Sequence, residues 1–472
     1  MAYIGRGTDK ISNVEVLDNI TFDGSSSYTL QKNSVNFTPS SANTLLLSID
    51  GVVQAGNFTV SGSTIDFGTA VAGTSTCDFV LHYGVGLITA PSDGSVTEAK
   101  IGTGAVTSSK LASGAVPNQS AFKNIVINGS MDIAQRSTSV TGITNGSSGY
   151  HTVDRFQFAE SGSPSAVFTQ SQSTDVPTGQ GFAKSLKMDC TTAQGSLGAG
   201  DLIRIRTTFE GQNLQYLKKG TSSAESLTMS FWVKSSKTGT YICQLLDKDN
   251  SRSISKSYTI SSADTWEKKT ITYDGDTTGA FTNDNGSSLQ VIWWLGAGSG
   301  SSSGTLQTSW GATTTADTAV GQVNFADSTS NDWYITGVQL EAGTSASDFE
   351  FLPVDVNLNR CQRYYYKSYG QGSGTVPLTS SGWIGSRHAI AYNTTNLGMD
   401  VRYPAPMRSS PTVTIYHQDG SSANVYEIVT GGKKAVTGIQ YGNDSGFWNI
   451  TASAVFTTNA HYYFQIVAIS EL

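Results

Sequence analysis

Short runs of alternating apolar and polar residues, separated by clusters of Gly, Ser, Asn and Asp, constrain this chain more than any other feature. Examples are "SLTMSFWVKS", "LQVIWWLG" and "AHYYFQIVAI". A period of two is typical of a β-strand with one buried face, and clusters of small polar residues are typical of turns. The 50 glycines suit such turns, and charged residues make up only 14% of the chain, below the usual quarter. Long amphipathic helical patterns are missing, so the sequence predicts an all-β protein.

The 472 residues are enough for several domains with cores of their own. Regularly spaced strand patterns predict a small β domain over residues 1–90, with hairpin turns at "IDG" and "SGS". A repetitive spacer follows over residues 91–118. The largest predicted unit spans residues 119–352 and consists of two packed sheets in a jelly-roll sandwich. Residues 353–472 are predicted to form a third β unit. In the third unit we expect one or two helical turns in the first half of "VNLNRCQRYYYKSY" and a buried last strand in "AHYYFQIVAISEL".

The spacer contains "GSVTEAKIGTGAVTSSKLASGAV", residues 94–116, in which ten residues are written twice and a third copy begins. A step of five between apolar residues fits neither a strand nor an ordinary helix. Five buried side chains cannot offset the entropy of ordering 23 residues, so an ordered spacer needs neighbouring copies of the chain. A disordered spacer is the alternative. The predicted contacts between chains are Val96, Ile101, Val106, Leu111 and Val116.

Charge and cysteine usage exclude several classes of function. The formal net charge is −7, and no segment offers a basic face, so we expect neither a nucleic-acid partner nor membrane insertion. The four cysteines are scattered without ligand spacing, which predicts reduced core thiols and no metal site, disulfide framework or cofactor. The first residues lack the apolar stretch of a signal peptide. We therefore expect synthesis in the cytoplasm; if the protein works outside a cell, it leaves by a route other than secretion, of which release inside a particle is one.

Catalytic residues are not predicted. Glycoside hydrolysis needs two carboxylates across a cleft, about 5 to 10 Å apart. Candidate carboxylates occur, but no pair has a telling spacing, and each is expected to lie in a turn or on the surface. The calcium-like stretch "DKDNSR" at residues 247–252 is better explained as a β-turn. The candidate carboxylates are Glu160, Asp201, Asp247, Asp249 and Glu267.

Several longer stretches resemble bacteriophage tail fibres. The opening "MAYIGRG", with "YTLQKNSVNFTPSSANTLLLSIDGVVQ" and "FTVSGSTIDFGTAVA", resembles the N-terminal attachment domain of marine and other phage fibres, and the spacer is similar to the repeat that follows such domains. "NIVINGSMDIAQRS", "SFWVKSSKTGTY" and "ITGVQLEAG" through "DFEFLPVDVNLNRCQRYYYKS" resemble a carbohydrate-binding-like jelly-roll domain of tail fibres and tailspikes. The resemblance covers most of residues 1–369. It implies a homotrimeric virion protein whose N-terminus binds a tail protein and whose far end binds a host surface glycan such as lipopolysaccharide.

Sugar rings stack on exposed aromatic side chains, while amides, carboxylates and guanidinium groups bond their hydroxyls. We expect the receptor site at the end farthest from the anchor, in the stretches "GWIGSRHAIAYN" and "YGNDSGFWN". The predicted residues are Trp383, Arg387, His388, Tyr392, Tyr441, Asn443, Asp444 and Trp448. Strand alternation places two further indoles outside the main apolar face, where they either stack on sugars or are covered by loops or a second chain. These residues are Trp232 and Trp294.

The sequence therefore predicts a trimeric tail fibre that binds a glycan without catalysis. A tailspike that degrades surface polysaccharide is the first alternative. A cellular carbohydrate-binding module is the second, and a single-chain mass in solution would favour it.

Overall fold

Nearly every regular element of this chain is a β-strand, and every ladder between described strands is antiparallel. The computed structural model describes residues 14–83, 101, 122–370 and 386–472. The chain divides into two compact units, residues 1–117 and residues 118–472. The all-β fold class is confirmed. No helix in the described ranges is long and apolar enough to span a membrane.

The first unit is built from short strands around a small apolar core. One sheet has the order β1-β9-β5-β6, a second β2-β8-β7, and β3 pairs with β4. Asp50 and Gly51 both have positive φ and join Ile49 to Val52 in a two-residue hairpin, which confirms the turn predicted at "IDG". Gly62 also has positive φ, in the two-residue turn that joins Ser61 to Thr64, which confirms the turn predicted at "SGS". The strands are β1 Val14–Leu17, β2 Ser27–Thr29, β3 Gln31–Lys32, β4 Val35–Asn36, β5 Leu45–Ile49, β6 Val52–Gln54, β7 Thr59–Ser61, β8 Thr64–Asp66 and β9 Cys77–Tyr83.

The second unit begins with a sandwich of two six-stranded sheets. Their orders are β10-β12-β13-β21-β15-β18 and β11-β14-β19-β16-β17-β20. The sheets meet in an aromatic core, where the Phe231 ring lies edge-on to Trp293 with ring centres 6.1 Å apart. The strands are β10 Ser139–Ile143, β11 Gln157–Ser161, β12 Val167–Ser173, β13 Ser185–Thr192, β14 Leu202–Glu210, β15 Leu227–Ser235, β16 Gly239–Asp247, β17 Arg252–Ile260, β18 Glu267–Tyr273, β19 Ser287–Ala297, β20 Gly311–Ala312 and β21 Asp332–Ala342; the short helix α1 is Ser299–Ser302.

Helix α2, Val354–Gln362, leads into a nine-stranded sheet. Its main order is β27-β26-β30-β23-β24-β29-β28, and both β22 and β25 also pair with β30. The prediction of a buried last strand is confirmed, because β30 is central and mostly buried. The strands are β22 Tyr365–Lys367, β23 Arg387–Ala391, β24 Asn396–Arg402, β25 Thr412–Tyr416, β26 Asn424–Glu427, β27 Lys433–Ala435, β28 Gly438–Gln440, β29 Gly446–Thr451 and β30 His461–Ile469.

Single-turn 3-10 helices complete the described elements. They are Ala42–Thr44, Gly211–Asn213, Gln215–Leu217, Thr315–Asp317 and Phe325–Asp327.

A buried network of charges joins the sandwich to the nine-stranded sheet within the second unit. The Arg155 guanidinium lies 3.5 Å from the ring centre of Tyr364, pairs with Glu471 and donates to the carbonyl oxygen of Thr208. Arg136 binds the other Glu471 oxygen at 2.8 Å. This network crosses the boundary predicted at residues 352 and 353, and the division into 119–352 and 353–472 stays a prediction.

The three consecutive tyrosines after α2 are all buried within this one chain. Tyr364 lies under Arg155, Tyr365 packs with Tyr369, and Tyr366 joins the core of the sheet. Successive tyrosine side chains point to opposite sides of the chain, and each side offers its own buried neighbours.

Replacing Glu471 by Gln should lower the free energy of unfolding by about 3 kcal/mol, because the Arg155 charge then stays buried without a counter-charge. The matched control is Glu225→Gln, which removes a carboxylate from the exposed pair with Lys218 and should cost less than ~1 kcal/mol. Urea unfolding followed by intrinsic fluorescence measures both variants. Equal losses in the two variants would contradict the importance of the buried pair.

Candidate functional site

Three aromatic side chains form an exposed strip on the nine-stranded sheet. Tyr392, Trp448 and Tyr441 are 47%, 49% and 76% exposed. The Trp448 ring centre lies 5.9 Å from that of Tyr392 and 6.1 Å from that of Tyr441. These three residues, called here the aromatic strip, present a row of rings to solvent.

Local sequence explains why the strip faces outward. On β29, Trp448 lies between the buried Phe447 and Asn449, so its indole points away from the core. Tyr392 follows β23 and packs over Gly398 of β24, where an added Cβ would lie 3.3 Å from the tyrosine ring. Tyr441 follows β28 with a left-handed φ of 53°, which turns the chain at that point.

A cavity of about 380 Å³ adjoins the strip. Its lining includes Tyr441, Asn443 and Trp448, together with two charged side chains of β24. Those two, Asp400 and Arg402, are an exposed ion pair with 3.0 Å between Arg402 Nε and Asp400 Oδ1. Flat apolar rings next to hydrogen-bonding groups of both signs are the elements that bind a sugar ring and its hydroxyls.

The structure brings together only part of the predicted receptor site. Asn443 lines the cavity, but its Oδ1 already accepts bonds from the Ser445 and Gly446 amides and so fixes the turn. Asp444 accepts a bond from the Ser445 hydroxyl and is not among the lining residues. Trp383 lies outside the described residues.

Arg387 and His388 face other partners than the strip. Arg387 donates to the Tyr366 hydroxyl. The His388 ring stacks on His461 with ring centres 4.9 Å apart, and Nε2 of His388 lies 2.7 Å from Nδ1 of His461. The two imidazoles come together because β23 and β30 pair side by side.

Sequence reasoning missed the charged pair of Asp400 and Arg402. The available signal was the stretch "DVR" in β24, where a buried Val401 separates two exposed charges. That pattern shows only that both charges share an outer face. Their position beside the strip depends on the pairing of β24 with β29, where Arg402 lies opposite Gly446.

Trp232 and Trp294 have different surroundings. Trp294 is 2% exposed, donates to the Gln244 side chain at 3.2 Å and packs beneath Arg204, so of its two predicted settings the structure shows the covered one and not the one that stacks on sugars. The alternation was read correctly, but the outer face of β19 is covered by residues such as Leu306 and Ala319. Trp232 is partly exposed and lines a groove of about 230 Å³ with three phenylalanines.

The candidate carboxylates bind amides in turns. Asp201 accepts bonds from the backbone of Ser163 and Gly198, and Glu267 from the backbone of Ser261 and Ser262.

The "DKDNSR" stretch is confirmed as a turn, because Asp247 Oδ1 accepts bonds from the amides of Asp249 and Asn250. Asp247 is also buried and paired with Lys219 at 2.6 Å, so of the two expected settings, turn or surface, it occupies the turn. Asp249 binds Thr282 across the loop, and Glu160 binds the Ser147 amide. Within the described ranges, no three His, Cys, Asp or Glu side chains cluster to hold a metal ion.

The four cysteines are free thiols, and Cys190, Cys243 and Cys361 are buried. Burial raises the pKa of Cys190 to about 11 and that of Cys243 to about 12. The prediction of reduced core thiols is confirmed for these positions. Among the predicted contacts between chains, Ile101 is exposed, and Val96, Val106, Leu111 and Val116 lie outside the described residues.

No protein-family model and no curated protein matches the chain. Among solved structures, the enzymatically active domain of tailspike protein 4 from bacteriophage CBA120 matches with 15% identity and a TM-score of 0.25, over 47% of this chain and 22% of that one. A Bacteroides thetaiotaomicron protein described as sugar binding matches with 11% identity and a TM-score of 0.26, over 46% and 99%. The CBM22-1 xylan-binding domain from Paenibacillus barcinonensis matches with 10% identity and a TM-score of 0.23, over 48% and 100%. Scores at this level carry no argument about function.

His388 should titrate below its ordinary pKa, because burial and the neighbouring His461 both disfavour its charged form. Its neutral form is therefore the one favoured by folding, and acidification through its folded pKa removes that contribution to stability. Two-dimensional NMR of the imidazole groups measures this pKa. In His461→Ala the pKa should move upward toward 6.5, and an unchanged value would contradict the pairing.

Proposed function

We propose that this chain is a bacteriophage tail fibre that binds a host surface glycan through the aromatic strip. The observation that carries the proposal is the row of Tyr392, Trp448 and Tyr441 beside a cavity with a charged pair. The stretches that resemble tail-fibre attachment and jelly-roll domains support the phage setting.

The chemistry of the strip suits a sugar chain rather than a single small molecule. Each exposed ring offers an apolar plane on which the C–H face of a sugar packs. Asp400 accepts and Arg402 donates hydrogen bonds to hydroxyl groups at the edge of that plane. Rings about 6 Å apart support neighbouring parts of one extended glycan.

Binding without catalysis is part of the proposal. Asp201 and Glu267 are already bound to backbone amides, which keeps them in the turns where they lie. Asp400 is paired with Arg402 at the strip and has an exposed side chain. A glycosidase acid instead needs a raised pKa and a second carboxylate across the bond.

Assembly into a homotrimer, attachment of the N-terminal unit to a tail protein and residence in the virion complete the proposal. Support comes from the five-residue step of the spacer, which needs neighbouring copies to become ordered. Several weak sites on one particle then bind a cell far more tightly than one site alone.

Trp448→Ala and Tyr441→Ala should each weaken binding of purified fibre to host lipopolysaccharide at least about tenfold, because each removes a stacking plane. A tenfold loss corresponds to about 1.4 kcal/mol. Adsorption to host cells and surface plasmon resonance on immobilised lipopolysaccharide measure the loss.

The matched control is Val429→Ala, which removes an exposed apolar side chain between β26 and β27, at the sheet edge opposite β28, and should leave adsorption unchanged. Adsorption of Trp448→Ala and Tyr441→Ala at the level of the control would reject the strip as the receptor site. Shortened glycans after incubation with the wild-type protein would instead favour the polysaccharide-degrading tailspike.

The full chain should have a light-scattering mass near 150 kDa, three times its 49.9 kDa. Replacing Val106 and Leu111 together by Asp should reduce that mass, because charged side chains cannot be buried between copies. A wild-type mass of one chain would contradict the assembly.

A further inference from the structure

A second cavity lies beside α2. All of its lining residues precede the aromatic strip in the sequence. It measures about 310 Å³, within the range of ligand pockets, about 300–1,000 Å³. Its walls include two strongly exposed rings, Phe122 at 56% and Tyr216 at 51%. Ile125, Ile127 and Phe209 add apolar surface. We call this cavity the Arg360 cleft.

Arg360 of α2 lines the cleft and makes no hydrogen bond or ion pair with a described residue. Its Nη1 is buried and makes no hydrogen bond, and its guanidinium lies 5.9 Å from the centre of the Phe122 ring. Buried polar atoms in folded proteins almost always have a partner. The desolvated and unpaired Nη1 of Arg360 is therefore a point where a hydrogen bond to an anion is stronger than it would be in water.

No neighbouring carboxylate forms an ion pair with Arg360. Arg363, one turn along, is held by Glu210 through two hydrogen bonds of 2.7 and 2.6 Å, and Tyr364 donates to the same carboxylate. Glu350 accepts bonds from the amides of Phe122 and Asn124 and makes no ion pair with Arg360. Glu350 attracts Arg360 without forming an ion pair, and among the lining residues the two guanidinium groups of Arg360 and Arg363 meet a single carboxylate, that of Glu210.

We propose that the Arg360 cleft binds a carboxylate-bearing sugar, a hexuronate unit of an acidic polysaccharide. The guanidinium fork matches a carboxylate with two parallel hydrogen bonds. The exposed faces of Tyr216 and Phe122 offer planes for the sugar ring, and the exposed amide of Asn213 lines the same cleft for its hydroxyls. An aliphatic acid has no hydroxyl groups with which to bond that amide. The site is separate from the aromatic strip and does not depend on the function proposed for it.

The test uses the full chain and two matched ligands, digalacturonate and its methyl ester, which keeps the rings and removes the charge. Calorimetric titration and saturation-transfer NMR measure binding. Digalacturonate should bind the wild type at least about tenfold more tightly than the ester, and Arg360→Met should remove that preference. Arg360→Lys, which keeps the charge but loses the fork, should bind with intermediate affinity.

Tyr216→Ala should weaken both ligands, because it removes an exposed ring and leaves Arg360 in place. This variant and the ester comparison keep the proposal testable if Arg360→Met fails to fold. Equal binding of acid and ester, or no saturation transfer at millimolar ligand, would overturn the proposal. So would loss of digalacturonate binding in Trp448→Ala with retention in Arg360→Met, because that result assigns the sugar to the strip. Binding of a fatty acid in the cleft without binding of digalacturonate would also overturn the proposal.

Discussion

The buried pairing of Arg155 with Glu471 determines how the larger unit holds its parts together. Arg155 comes from the loop before β11, and Glu471 follows β30, the central strand of the nine-stranded sheet. A guanidinium without water must find a counter-charge and further acceptors, and it does so only when Glu471, the Tyr364 ring and the Thr208 carbonyl are all in place. Any relative shift of the sandwich and the sheet would leave a charge desolvated and unpaired. The pair therefore specifies one arrangement in a way that apolar contact alone would not.

The position of β30 in turn places the aromatic strip. β30 pairs with β23, β23 with β24, and β24 with β29, so three ladders in succession connect the junction to Trp448. Gly398 leaves room for the Tyr392 ring on the face of β24. Because a one-residue slip in any ladder would turn Trp448 into the core, the strip depends on the registers of all three. The strip is thus held on paired strands and the turns next to them, which keeps its rings in place before a ligand arrives.

The fold class followed from the sequence because alternation is a local signal. Leu227, Met229, Phe231 and Val233 read as one buried face of a strand, and all four are in the core. What covers the other face is not local, and so the sequence left open whether Trp294 stacks on sugars or is covered, as it is by Leu306 and Ala319. The candidate site shows the same division. Tyr392, Tyr441 and Trp448 were found as aromatic residues in loop-like stretches, whereas Asp400 and Arg402 became relevant only through the pairing of β24 and β29.

The contrast between Arg360 and Arg363 shows why charge alone does not reveal a site. Both lie at the end of "LNRCQR", three residues apart, and the sequence gives no reason to separate them. Glu210, the last residue of β14, reaches Arg363 and satisfies it with two bonds, while the Arg360 Nη1 is enclosed without any. The same carboxylate cannot serve both guanidinium groups in this geometry, because its oxygens are already taken by Arg363, Gln212 and Tyr364. Under the two proposals the unit carries a hydroxyl-binding surface at the strip and a carboxylate-binding one at α2, and an acidic polysaccharide with neutral stretches offers ligands to both.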